Sequence, residues 1–186
     1  MKKLVFITSL FCIVSVFFYN AQGQSVNKGF FGTVEAKYMQ GFNPNSEELS
    51  FKPYGKSLRL MVGYFVNPHL SAGIGFGADR YEEPGVNTLP LFADFRGYLK
   101  DKGNTPYVFA DAGYSVRFSQ AQDRGFLIDA GLGYKFLSSK KIGMTVAVGY
   151  NYKEFPYWWD GYADYVYRNK WYERRHSVFL NVGMFF

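Results

Sequence analysis

The sequence predicts an all-β fold in which eight antiparallel strands follow one another around a closed up-and-down barrel. Three observations predict it. Apolar residues recur at every second position in eight segments, which is the period of a strand with one apolar face. Short turns alternate with mostly longer loops along the chain, so the two ends of the barrel differ. No helical period competes with this pattern in the sequence.

Each segment is bounded by turn residues. The strands are predicted at 30–38, 58–66, 70–79, 89–99, 108–118, 125–136, 142–151 and 177–186. The short turns are predicted at 67–69, 100–105 and 137–141, and the other connections at 41–54, 81–88, 119–124 and 154–173. An even number of strands places the start and the end of the barrel on the side of the short turns.

The composition is that of a single domain with an unusually high content of aromatic residues. The chain has 186 residues, of which 48% are hydrophobic and 19% charged, which excludes a disordered tail and a helical membrane bundle. Aromatic residues, at 21%, exceed what a soluble core needs. The net charge of +6 is too mild to indicate nucleic-acid binding. The only cysteine, Cys12, lies in a segment that we expect to be removed.

That segment has the pattern of a signal peptide. Two lysines precede an apolar run at 4–19, and small residues follow at 21–23. The run is shorter than the ~20 residues of a spanning helix, which favours cleavage over the alternative of an N-terminal anchor. We therefore expect a cleaved signal peptide at 1–23 and a barrel domain at 24–186.

The two faces of the strands differ in chemistry, and this difference orients the barrel. One face is almost free of charge and carries aromatic rings near both ends, as a bilayer selects. The other face mixes glycines with opposite charges, which suits a narrow lumen filled by side chains. The sequence therefore predicts a transmembrane barrel with its apolar face outward. A soluble ligand carrier, with the apolar face inward, is the alternative.

We interpret the charged face as a mutually neutralising network, with glycines making room for the long charged side chains opposite. An ion path through the lumen is the alternative. The predicted lumen residues are Glu35, Lys37, Arg59, Asp79, Asp94, Arg96, Asp111, Arg117, Asp129 and Lys135.

With a signal peptide, eight alternating segments and a last strand ending in Phe186, the chain resembles small outer-membrane β-barrels of the OmpX and OmpA-barrel type. The resemblance implies location in the outer membrane of a Gram-negative cell, in contact with its lipid and lipopolysaccharide. It also implies that barrel-assembly machinery recognises the aromatic end of the last strand. The implied assembly signal comprises Phe186, Met184, Val182 and Leu180.

The connection at 154–173 is the most unusual part of the chain, because it holds nine aromatic residues, all three tryptophans among them. The Asp160-Gly161 pair predicts a tight turn, so the last two strands are expected to continue as a protruding hairpin. The parity of pairing across that turn predicts at least one bulge between Lys153 and Trp171, near Pro156. The alternative to a contact surface is that these rings rest on lipopolysaccharide or on each other. The candidate surface-binding residues are Trp158, Trp159, Tyr162, Tyr165 and Trp171.

Catalytic signals are sparse, and we expect no enzyme, cofactor or metal. His69 falls in a short turn, and His176 precedes Ser177 on the last strand. Some outer-membrane barrels are lipid A hydrolases with His and Ser on one face, but neighbouring strand residues point to opposite faces. The predicted function is a structural or surface-interaction role toward an extracellular protein or glycan, by a monomer. A narrow passive pore and, with less support, a lipid A-modifying enzyme are the alternatives.

Overall fold

The structure, a computed structural model, describes residues 27–42, 54–82, 86–116, 125–137, 142–158 and 170–186. These residues form eight strands, each pairing antiparallel with its neighbours along the chain. The last strand pairs with the first, which closes the barrel and confirms the predicted fold class. The strands are β1 (Gly29–Phe42), β2 (Tyr54–Asn67), β3 (Leu70–Tyr81), β4 (Val86–Tyr98), β5 (Thr105–Val116), β6 (Gly125–Leu137), β7 (Gly143–Trp158) and β8 (Lys170–Phe185).

The barrel has two different ends. We call the end with the β2–β3, β4–β5 and β6–β7 connections the turn end, and the opposite end the loop end. Asn27, before β1, and Phe186, after β8, both lie at the turn end. Within the described residues, no helix is long and apolar enough to span a membrane.

Side chains alternate between the two faces as the sequence predicts. In β8, Leu180 and Met184 are about half exposed, at 49% and 51%, whereas Phe179 between them is 4% exposed. The same alternation runs through the other strands, with even-numbered side chains outward. The outer surface is therefore largely apolar, and most charged side chains of the strands lie inside; exceptions such as Lys56 and Arg80 lie near the loop end.

Asn27 holds the start of β1 in place through hydrogen bonds to two of the connections at the turn end. Its amide nitrogen donates to the carbonyls of Pro68 (2.9 Å) and Lys100 (3.1 Å), and its backbone N–H donates to the carbonyl of Asp101 (3.0 Å). Gly29, with φ of 80°, then turns the chain into β1, a conformation that suits glycine. The sequence pattern does not predict this role of Asn27, because strand alternation carries no information about a residue that precedes the strand.

The last two strands extend past the rest of the barrel. β1 pairs with β8 as far as His176, and β6 pairs with β7 as far as Lys153. β7 and β8 continue to pair with each other for five further residue pairs, from Glu154 with Arg174 to Trp158 with Lys170. We call this two-stranded extension the arm. The predicted protrusion of the hairpin agrees with this register.

The predicted bulge near Pro156 is wrong. Pro156 pairs directly with Tyr172, and the register is unbroken from Lys153 to Trp158. The prediction assumed a hairpin centred on the Asp160-Gly161 turn, and the rest of its interval, 159–169, is not among the described residues. That dipeptide lies outside the described residues, but the observed register pairs even positions with even positions and needs no bulge along the described part of the arm.

Candidate functional site

The lumen is crossed by ion pairs between strands on different sides of the barrel. Nearest the loop end, Lys153 on β7 reaches Asp79 on β3, with 2.8 Å between Nζ and Oδ2. In an eight-stranded barrel these two strands lie opposite each other. Ser57 donates to the other oxygen of Asp79 at 2.5 Å, and Lys153 also binds the hydroxyl of Thr88. The hydroxyl of Thr88 in turn donates to Asp79 Oδ2 at 3.4 Å, so the carboxylate accepts hydrogen bonds from β2, β4 and β7.

Asp129 forms the centre of the second cluster. It accepts from Lys37 Nζ, Arg59 Nη1 and Asn151 Nδ2, each at 2.5 Å. Arg59 Nη1 also contacts Asp111 Oδ2 at 3.1 Å. Asp129 and Lys37 are almost fully buried, so each charge is in contact with its partner in place of water.

Arg96 forms the third cluster, closer to the turn end. Its Nε contacts both oxygens of Asp94 at 3.0 Å, and its Nη2 contacts Glu35 at 2.8 Å. Asn181 donates to the second oxygen of Glu35 at 2.7 Å. Transferring charges out of water costs free energy. Removing one partner of such a buried pair therefore destabilises the fold by far more than the intact pair stabilises it.

Lys135 is held differently from the other buried cations. Its ammonium lies 4.9 Å from the ring centre of Phe185, 5.0 Å from that of Tyr98 and 5.6 Å from that of Phe65. It donates to the side-chain oxygen of Asn27. Among the described residues, no carboxylate lies within 4.0 Å of the ammonium. The pattern of charges had placed Lys135 with the ion pairs, but its partners are rings and an amide.

Aromatic rings fill most of the space beside the glycines, which corrects the expectation that charged side chains would fill it. A Cβ on Gly63 would stand 2.4 Å from the ring of Phe31, and one on Gly75 would stand 2.4 Å from the ring of Phe92. A charged side chain lies this close only in places, as where the stem of Glu35 approaches Gly183 at 2.8 Å. At the loop end Phe155 packs edge-on against Tyr81, with ring centres 5.1 Å apart, above the Lys153 ion pair.

The other predicted site residues fall in three places. Leu180, Val182 and Met184 face outward on β8, and Phe186 follows at the turn end. Trp158 ends β7, and Trp171 lies on β8 within the arm. The remaining predicted residues lie outside the described residues; they are Arg117, Trp159, Tyr162 and Tyr165.

The two candidates for acid–base chemistry on β8 lie on opposite faces. Ser177 is buried in the lumen, 3.4 Å from Nε of Arg175. His176 is on the outer face, where its Nδ1 is hydrogen-bonded to the hydroxyl of Tyr150. A general base must lie within hydrogen-bond reach of its nucleophile, so His176 cannot activate Ser177.

No protein-family model matches the chain, and no curated protein sequence matches it. Solved structures do match. The crystal structure of Neisserial surface protein A superposes with a TM-score of 0.58 at 14% identity, covering 84% of this chain and 96% of that one. The solid-state NMR structure of the outer membrane protein AlkL, determined in DMPC lipid bilayers, gives a TM-score of 0.55 at 12% identity, covering 90% and 94%. The chain therefore has the fold of small eight-stranded outer-membrane β-barrels.

Proposed function

We propose that the chain is an integral outer-membrane barrel with a structural or surface-interaction role, and that its arm makes the contact with an extracellular protein or glycan. The observation that carries the proposal is the extension of the arm. Its five residue pairs, at a rise of ~3.3 Å each, extend roughly 16 Å along the strands beyond the pairing with β1 and β6. The nine aromatic residues at 154–173 would supply the large apolar contact area typical of recognition surfaces.

The outer surface supports a membrane location. Large apolar side chains are exposed on every strand, among them Ile74 at 74% and Leu132 at 64%. Soluble monomers rarely expose contiguous apolar patches larger than a few hundred Å². Buried charge and exposed apolar surface together suit a protein surrounded by lipid. In that setting residues 1–23 would direct export, and Phe186, Met184, Val182 and Leu180 would form the assembly signal.

The filled lumen supports an external site of action over a pore. Ion pairs reach across the barrel from β7 to β3 and from β2 to β6. Aromatic rings lie on both sides of these ion pairs along the barrel axis. Tyr81 and Phe155 lie toward the loop end, and Phe65 and Phe185 lie toward the turn end. A function at the cell surface would then depend on the segments at the loop end of the barrel.

The test is to shorten the arm on living cells. Residues 156–172 would be replaced by a short turn, with Phe155 kept because it packs on Tyr81. We expect cells that display the shortened protein to lose adhesion to host-cell glycans and proteins, and to lose binding of any phage that uses the barrel. A second variant, with Trp158 and Trp159 changed to serine, tests the rings without shortening the strands.

The matched control replaces residues 43–53, another connection at the loop end, by the same short turn. Antibody labelling of intact cells would verify equal display of all variants. If the arm variants adhere as well as the unaltered protein, the proposed contact role is wrong. If only the control variant loses adhesion, the contact surface lies on a different connection.

A further inference from the structure

Two cations lie side by side on the outer wall of the barrel. Lys56 on β2 and Arg80 on β3 are exposed, and the register of the sheet pairs them directly. Two residues nearer the turn end, the same strands present Leu58 and Ala78 in the next outward-facing pair. We call Lys56 and Arg80 the cation pair. It lies at the border of the apolar wall that faces the loop end.

Neighbouring tyrosines indicate the depth of the cation pair in a membrane. Tyr38 on β1 pairs directly with Lys56, and Tyr54 lies two residues away from Lys56 on β2. The two tyrosine rings are stacked with their centres 6.4 Å apart, and the ammonium of Lys56 lies 6.0 Å from the ring centre of Tyr54. Aromatic rings mark the headgroup level of a membrane barrel. The cation pair would therefore face lipid headgroups.

The positive charge of the cation pair exceeds the negative charge beside it. Arg80 Nε contacts Glu82 Oε1 at 3.1 Å. Among the described residues, no carboxylate lies within 4.0 Å of the ammonium of Lys56. Like charges directly opposite each other on a sheet are destabilising. An anion from outside the chain would relieve this repulsion by contacting both cations.

Another charged pair on the outer wall shows the contrast. Glu154 on β7 and Arg174 on β8 are also paired and belong to the outward-facing set, but their charges are opposite and compensate each other. The surplus of positive charge on this part of the wall is therefore specific to the side formed by β2 and β3.

A phosphate monoester has the chemistry that suits the cation pair. Directly paired residues hold their Cβ atoms ~4.5–5.5 Å apart, so a guanidinium and an ammonium can contact the oxygens of one phosphate. A phosphate monoester carries roughly −1.5 to −2 charges at pH 7, which matches two cations. The phosphates of lipid A, the membrane anchor of lipopolysaccharide, are monoesters on a sugar core. A phospholipid carries a phosphodiester with a single negative charge.

We propose that the cation pair binds a phosphate of lipid A, with acyl chains of the same molecule lying against Leu58 and Phe76 on the apolar wall below. The inference rests on the proposed membrane location, with the loop end toward the cell surface. It goes further than that location, because it names the lipid component that is bound and the side of the barrel that binds it.

The experiment compares three lipids on the purified and folded protein. Native mass spectrometry in detergent would measure the dissociation constants of phosphorylated lipid A, of lipid A without its phosphates, and of phosphatidylglycerol. We expect phosphorylated lipid A to bind about tenfold more tightly than the form without phosphates, because two exposed charged contacts are lost together. Phosphatidylglycerol should also bind more weakly than phosphorylated lipid A, since its phosphodiester carries less charge.

Substitutions of the cation pair test the placement. Lys56→Gln and Arg80→Gln should each weaken the binding of phosphorylated lipid A by about fivefold and leave the binding of the form without phosphates unchanged. Glu82→Gln should strengthen the binding of phosphorylated lipid A by about threefold, because Arg80 then has no competing carboxylate. Circular dichroism would verify that each variant is folded.

The matched control is Lys102→Gln, which removes an exposed cation from the β4–β5 connection at the turn end. It changes the net charge by the same amount as Lys56→Gln. We expect it to leave the affinity for phosphorylated lipid A unchanged. Equal losses for the two variants would overturn the site, because total charge alone would then explain the binding.

The remaining outcomes separate the site from the membrane location. Flotation of protein mixed with phospholipid vesicles reports insertion without lipid A, and a chain that does not insert contradicts the membrane location itself. A chain that inserts but binds lipid A equally with and without phosphates overturns only the site. Equal affinity for phosphatidylglycerol and phosphorylated lipid A overturns the assignment to lipid A.

Discussion

Phe186 and Gly32 form the seam at which the barrel closes at its turn end. The backbone N–H of Gly32 donates to the carbonyl of Phe186 at 2.7 Å, and the N–H of Phe186 donates back at 3.0 Å. The ring of Phe186 comes within 2.4 Å of the position that a Cβ on Gly32 would take. Gly32 is buried although it belongs to the outward-facing set, because this ring covers it. The absence of a side chain at residue 32 is therefore what lets the terminal ring approach the backbone of β1 so closely.

Gly32→Val should displace the ring of Phe186 and destabilise the barrel by about 1–3 kcal/mol, the usual cost of overpacking. Phe186→Ala should cost a similar amount through lost burial. The double variant should be less destabilised than the sum of the two, because the clash needs both side chains. Urea titration in detergent, followed by circular dichroism, measures all three; simple additivity would show that the ring and the glycine are independent.

Asp129→Leu should destabilise the barrel by about 3–5 kcal/mol, since it leaves Lys37 and Arg59 buried without their shared carboxylate. Asp129→Asn should be milder, because an amide oxygen still accepts hydrogen bonds. The same urea titration compares the two. Equal stability of Asp129→Leu and the unaltered protein would mean that water reaches these cations.

Two buried lysines should lose very different amounts of stability on the same substitution to methionine. Lys153→Met leaves the carboxylate of Asp79 buried without its ammonium partner, which should lower the free energy of unfolding by about 3–5 kcal/mol. Lys135→Met loses ring contacts worth up to ~2 kcal/mol but also removes a buried charge, so the net change should stay within about 1 kcal/mol. Parallel unfolding curves of the two variants provide the measurement, and a larger loss for Lys135→Met would show that its aromatic surroundings stabilise the ammonium strongly.

The unaltered protein should show no steady open channel in planar bilayers. Ion pairs such as Arg59–Asp129 and Lys153–Asp79 occupy the space through which ions would pass. Single-channel recording at several voltages measures this, with bilayers that lack protein as the control. Discrete and long-lived conductance steps would support the pore in place of the surface role.

Shortening the arm should leave the barrel intact. Between Glu154 and Trp158, β7 pairs with β8 alone, and an isolated two-stranded hairpin is at best marginally stable. We expect the free energy of unfolding to change by less than about 1 kcal/mol when residues 156–172 are replaced by a short turn. Circular dichroism with urea titration checks this, and a large loss would show that the arm packs on the rest of the barrel.

The sequence predicts the strands well because alternation is a local signal repeated eight times. The outward position of Leu180 and the inward position of Asp129 follow from alternation and from the composition of the two faces. Such a local signal cannot identify which residues meet across the lumen, because the contact between Lys153 and Asp79 depends on how the barrel closes. The rings around Lys135 are missed for the same reason, and Asn27 is missed because it precedes the alternating segment.

The register of the arm shows where local turn chemistry is insufficient. Asp160-Gly161 is a strong two-residue turn signal, yet the observed pairing of Pro156 with Tyr172 does not centre on it. Both strands must already alternate in step with the barrel wall at Lys153 and Arg175, and this constraint sets the pairing farther out. Along the described part of the arm, the pairing therefore continues the register of the barrel wall.

The shared carboxylates of the lumen also constrain how this protein can diverge. Asp129 serves three donors from three strands, so an acceptable change at that position requires simultaneous changes elsewhere. The arm pairs with itself, and its residues can be replaced one at a time. Over many generations the interior should remain nearly fixed while the exposed hairpin varies, which lets one scaffold acquire new surface specificities without having to refold.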